Sequence, residues 1–121
     1  MGLSQGGESF PKRARLTKRS EFLALARHGR RVHASHFVVL SKANDMEQNR
    51  LGVTVTTRVG NAVVRNRIKR LVREFFRRRK ETILHGHDIV VIAKRGAEEL
   101  SLGEVTAELE TALSQGRSRQ R

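Results

Sequence analysis

The chain reads as a small α/β fold, helices laid on one sheet, and three patterns predict it. Two runs alternate between apolar and polar sides, HFVVLSK at 36–42 and RLGVTVTTR at 50–58. A third, DIVVIAK at 88–94, is apolar on both sides, as an interior strand covered on both faces must be. Three other segments space their apolar residues as helices do: one before the strands, one between the second and third, one after them. With 121 residues there is room for one domain, an α+β sandwich of about three to four strands and three helices.

The opening residues 1–12 are polar and glycine-bearing and are expected to be a disordered extension of a domain spanning 13–114. Thr17 is placed to cap the first helix, with Phe22, Leu25 and Ala26 on one face and Gly29 as a left-handed stop. In the first strand Phe37 and Val39 face one way, and His36, Val38, Leu40 and Lys42 the other. In the second, Leu51, Val53 and Val55 oppose Gly52, Thr54 and Thr56. The polar stretch KANDMEQN between them predicts a hairpin. Gly60-Asn61 breaks the strand pattern, and Asn61 is a good cap for a helix over about 62–80. Ser101 and Glu104 form a capping-box pattern that opens the last helix, whose buried stripe is Leu102, Val105, Leu109 and Leu113. Residues 115–121 are expected to be a basic tail, and no segment repeats.

Charge narrows the function. Lys and Arg number 25 against 12 acids, a net +13 that costs self-repulsion unless a polyanion balances it. No apolar run approaches the ~20 residues of a membrane span, and the N-terminal stretch lacks the apolar core of a signal peptide. There is no cysteine, hence no disulfide, thiol nucleophile or thiolate-bound zinc. A cytoplasmic protein is expected.

The excess concentrates in RNRIKRLVREFFRRRK at 65–80, where nine of sixteen residues are basic and seven of those are Arg. Val64, Ile68, Leu71, Val72, Phe75 and Phe76 form its core stripe. Arg65, Lys69, Arg73 and Arg77 stack at like-charged i+4 steps, with Glu74 alone to relieve them by reaching Arg70 and Arg78. A solvated face would interleave acids, so this one is read as a nucleic-acid surface. Its acids gather instead on the last helix, at Glu104, Glu108 and Glu110. No helix-turn-helix, zinc site or zipper accompanies the basic helix, which favours RNA over DNA. A second surface is a groove of Phe22, Val38 and Leu40 edged by Thr54, Thr56 and Arg58, suited to unpaired bases. The alternative, that the first helix simply closes a small core there, stays open on pattern alone.

No catalytic constellation emerges. The acids Glu98-Glu99, Glu108 and Glu110 lack the convergence a metal nuclease needs, and His85-Gly86-His87, His33 and His36 have no supporting partners in the pattern. The chain reads as a binding subunit, with no catalytic or metal-ligating residue expected. A structural RNA-binding protein such as a ribosome component, or a stand-alone nuclease using His85 or His87, are the rival readings.

The stretch RVGNAVVRNRIKRLVREFFR at 58–77 resembles the signature of the bacterial ribonuclease P protein subunit, centred on Arg65-Asn66-Arg67. RARLTKRSEFLALARHG at 13–29, HFVVLSK, RLGVTVTTRVGNAV and DIVVIAKRGA follow in that family's order, so the resemblance covers about residues 13–113. It implies a left-handed βαβ crossover and a ribonucleoprotein whose RNA, with Mg2+, removes the 5′ leader of precursor tRNA. It also implies that Arg65, Asn66, Arg67, Lys69, Arg70 and Arg73 contact the catalytic RNA. Phe22, Val38, Leu40, Thr54, Thr56 and Arg58 would line a cleft for the single-stranded leader. The chain departs from some members at Ala26 and Leu40, where they carry aromatics, which implies weaker stacking in the cleft.

Overall fold

The computed structural model describes residues 19–45, 48–79 and 86–118. Helix α1 (Arg19–His28) leads into strand β1 (Arg30–His33), then β2 (Phe37–Ala43), β3 (Arg50–Val55), helix α2 (Ala62–Arg78), β4 (His87–Ala93), a 3-10 turn (Ala97–Glu99) and helix α3 (Leu102–Ser118). The strands form one sheet in the order β1-β2-β4-β3.

That order corrects the expected hairpin between 36–42 and 50–58. β2 pairs antiparallel with β4, Phe37 opposite Ala93, and β3 pairs parallel with the other edge of β4, Val53 opposite Val91. Strand β4 takes the centre because it is apolar on both sides. Its Ile89 and Val91 enter the larger core while Val90 enters the smaller. The hairpin that does form joins β2 to β1, a strand the sequence reading lacked; RRVH has one apolar residue, Val32, opposite Val39.

The helices divide between the two faces. Ile68, Val72, Phe75 and Phe76 of α2 and Val105, Leu109, Ala112 and Leu113 of α3 pack with Phe37, Val39, Leu51, Val55, Ile89 and Val91. Ile68 and Val72 are wholly enclosed, and burying each such side chain contributes about 1.5–3 kcal/mol. Leu102, expected in the buried stripe, is half-buried instead, and Ala112 takes part in the core. On the opposite face α1 places Leu25 over Val38, Leu40 and Val90, with Phe22 and Ile92 half-buried beside them.

Capping follows the sequence closely. The Asn61 side chain accepts a hydrogen bond from the Val64 N–H at 3.0 Å. Ser101 and Glu104 close a reciprocal capping box, Ser101 N–H to Glu104 Oε1 at 2.9 Å and Glu104 N–H to Ser101 Oγ at 3.3 Å. Helix α3 runs on to Ser118, into the segment expected as a tail. Thr17 and Lys80 lie outside the described residues. Gly29 is not the left-handed stop expected of it, since among the described residues the glycines with positive φ are Gly86 and Gly96. It is small because a Cβ there would meet Leu25 O at 2.6 Å and Ser41 O at 2.9 Å. The end of α1 thus presses directly on the backbone of β2.

Candidate RNA-binding surfaces

Helix α2 separates its cations into two groups. At its C-terminal end Glu74 accepts from Arg77 (Nη2, 2.7 Å) and Arg78 (Nε, 2.6 Å), not from Arg70 as its spacing had suggested. The chosen i,i+4 pair has the acid on the N-terminal side, the orientation that helix geometry and dipole favour. Arg79 reaches across to Glu110 of α3 at 2.6 Å, its guanidinium 6.0 Å from the Phe75 ring centre. In the N-terminal half, by contrast, Arg65, Lys69 and Arg70 have no ion pair among the described residues. The Arg65 Nε is shielded and has no hydrogen-bond partner there. Asn66 and Arg70 are exposed, and Arg65, Lys69 and Arg73 are half-buried.

Arg67 has partners within the protein. Its guanidinium donates to the Glu98 carbonyl at 3.2 Å and the Leu100 carbonyl at 2.9 Å, tying α2 to the turn that precedes α3. Arg67, expected among the arginines that contact RNA, thus also clamps two elements of the protein together.

Hydrogen bonds from Arg77 and then Arg78 hold the Glu74 carboxyl down at about 2, from an ordinary value of 4.5. A depressed carboxylate stabilises the fold above its unfolded value and loses that contribution as pH falls through the folded one. Glu74→Gln is therefore expected to cost at most about 1 kcal/mol at neutral pH. The gap should close as pH falls from about 4.5 to about 2, read as converging urea midpoints of the two proteins.

The other face carries the second surface. Thr54, Ile92, Val38 and His33 form a row across all four strands. The adjoining row is Gly52, Val90, Leu40 and Arg31, and the one beyond it includes Arg50, Asp88 and Lys42. Leu25 of α1 packs with Leu40, Val90 and Val38, so Val38 and Leu40 are a buried floor instead of open walls. Phe22, Ile92 and Thr54 are half-buried, and His33 is exposed. Strand β3 stops at Val55, which puts Thr56 and Arg58, both exposed, on the turn into α2. The C-terminal ends of parallel β3 and β4 lie at one end of the sheet, where α2 begins; this brings Thr54, Thr56 and Arg58 toward the N-terminal half of α2. Ile92 was missed because its place in the row depends on the central position of β4.

Several of the remaining polar groups have structural partners. Glu108 accepts from the His36 backbone N–H and pairs with His36 Nδ1 at 2.9 Å. Glu98 accepts from Gly96 N–H at 2.8 Å. His87 donates its backbone N–H to Asn49 Oδ1 at 2.9 Å, and His85 lies outside the described residues. Among the described residues no three His, Cys, Asp or Glu side chains gather to hold a metal ion. No helix among these residues is long and apolar enough to cross a membrane.

Comparison with known proteins places the chain in a family. A family model described as Ribonuclease P matches residues 10–116. The ribonuclease P protein component of Desulforapulum autotrophicum is 45% identical over 104 residues, covering 86% of this chain and 89% of that protein. That of Syntrophus aciditrophicus is 43% identical over 88% of this chain and 89% of its own length. Among solved structures, the Staphylococcus aureus RNase P protein superposes with a TM-score of 0.79 at 36% identity, covering 85% of this chain and 94% of that one. The Thermotoga maritima RNase P protein gives 0.78 at 37% identity, over 84% and 96% respectively.

Proposed function

Because this chain belongs to the ribonuclease P protein family, we propose that it holds the catalytic RNA on helix α2 and the 5′ leader of precursor tRNA on the α1 side of its sheet. It is the accessory subunit of a tRNA-processing endoribonuclease, and its partner is ribonuclease P RNA. The observation that carries the reading of α2 is the division of its cations: Arg77 and Arg78 share the Glu74 carboxylate and Arg79 pairs with Glu110, while Arg65, Lys69 and Arg70 make no ion pair among the described residues.

In this reading Arg65, Asn66, Lys69, Arg70 and Arg73 meet phosphates and base edges of the catalytic RNA, where planar guanidinium forks give paired hydrogen bonds. Arg67 serves that surface from behind by fixing α2 against the turn at Glu98 and Leu100. Phe22, Thr54 and Ile92 present an apolar strip with a hydroxyl edge to unpaired leader bases, over the floor of Val38 and Leu40. Thr56 and Arg58 sit where the leader would pass toward the catalytic RNA. Phosphodiester hydrolysis belongs to the RNA and its magnesium; the protein raises affinity for a substrate that still carries its leader. The cytoplasm is the compartment this role implies.

The test is reconstitution with a cognate ribonuclease P RNA at low magnesium. The protein should stimulate precursor cleavage and tighten binding of precursor tRNA over mature tRNA. Phe22→Ala should weaken precursor binding by about 1–3 kcal/mol, the range for one base–aromatic stack, and leave mature tRNA binding unchanged. Equal losses for both ligands would assign Phe22 to the core alone, and absence of stimulation would overturn the function.

A further inference from the structure

Helix α1 is thinly anchored. Of its ten residues only Leu25 is buried, and Phe22 is half-buried beside the same small cluster. At its C-terminal end Gly29 fits between the Leu25 and Ser41 carbonyls, which fixes that end against β2. Its N-terminal part is held by a polar chain. Arg50, the first residue of β3, donates to Glu21 Oε2 of α1 through Nη1 at 2.8 Å. The same guanidinium grips Asp88 of β4 with two bonds, Nε to Oδ1 at 2.9 Å and Nη2 to Oδ2 at 2.8 Å. Asn44, just past β2, donates to Asp88 Oδ1 at 2.9 Å and to the Gln48 carbonyl at 3.1 Å. The side chains of Glu21, Arg50 and Asp88 are 25%, 22% and 15% exposed, so the chain is partly withdrawn from competing water.

Arg50 is therefore oriented twice over by Asp88 before it meets Glu21, and Glu21 adjoins Phe22. We infer that the Glu21–Arg50–Asp88 chain sets the position of α1 over the sheet and so holds Phe22 at the cleft, making Glu21 and Arg50 positioning residues for recognition of the unpaired 5′ leader. The inference rests on the cleft reading above. The physical basis is leverage: with one end of α1 fixed at Gly29 and a single enclosed apolar side chain near its middle, the polar link decides where the other end lies. A preset Phe22 spares the ordering cost that a freely pivoting helix would incur on each binding event.

The experiment is a double-mutant cycle in the reconstituted holoenzyme, reading the ratio of precursor to mature tRNA affinity. Glu21→Ala leaves the Arg50–Asp88 pair in place, so the sheet should fold as before, checked by an unchanged affinity for the catalytic RNA. The ratio should fall about two- to fivefold, the scale of a partly exposed ion pair. Glu21→Gln, which can still accept from Arg50, should lose less. In a Phe22→Ala background Glu21→Ala should produce no further fall, because its effect runs through that ring. Full additivity of the two substitutions would overturn the positioning role. So would an unchanged ratio in Glu21→Ala when Phe22→Ala lowers it, with the cleft reading left standing. If neither substitution moves the ratio, the cleft reading itself falls.

Discussion

Replacing Arg65, Lys69 and Arg70 together with Gln is expected to weaken binding to ribonuclease P RNA about a hundredfold or more at moderate salt. Each charge-assisted hydrogen bond to a phosphate contributes about 1.5–3 kcal/mol, so three lost together exceed two decades of affinity. Counterion release sharpens the expectation. The slope of log K against log salt should flatten by roughly two to three units, near 0.7–0.9 for each phosphate contact removed. The fold should persist, since none of the three makes an ion pair among the described residues and Gln keeps part of the aliphatic stem over the helix. Titrations at several salt concentrations supply the measurement. An unchanged slope would mean that these cations are merely solvated.

Arg67→Ala should behave in the opposite way, costing stability of about 2–4 kcal/mol with a smaller change in salt slope. Its two bonds to the Glu98 and Leu100 carbonyls come from a charged donor, and their loss also unfastens the turn in front of α3. Arg67→Lys keeps the charge but has no planar fork to span both carbonyls, so it should recover only part of the loss. Urea unfolding of the free protein reads this directly. If Arg67→Ala left stability untouched and flattened the salt slope as Arg70→Ala does, Arg67 would join the RNA-facing group after all.

The contrast between Arg67 and Arg70 marks what could be read from the chain beforehand. Periodicity sorts Ile68, Val72 and Phe75 to the inside of α2, and the Asn61 cap and the Ser101–Glu104 box fix two helix starts, because these signals are local. Periodicity also says that Arg67 and Arg70 lie off the core stripe. It cannot say that the carbonyls of 98 and 100 wait beside one of them. The sheet order was hidden for the same reason. Alternation places Val53 and Val55 on a common face, yet nothing near β3 announces that its partner is β4, and RRVH offers β1 a single buried residue. Once β4 is central, Ile92 and His33 fall into line with Thr54 and Val38, a row that spacing alone could not supply.

The central position of β4 also governs how the molecule can come together. Helix α1, the β1–β2 hairpin and β3 all precede it in the chain, and β3 touches the sheet only through β4. As the polypeptide emerges, β3 has no strand to pair with until residues 87–93 arrive. Closing a parallel pair across an intervening helix is slow compared with closing a hairpin, because its loop entropy is lost before any ladder bond is made. The β1–β2 hairpin can therefore close first, and β3 joins the sheet only after β4 has docked beside β2. Until β4 docks, the basic helix α2 is an amphipathic segment whose apolar stripe lacks the cover of Ile89 and Val91.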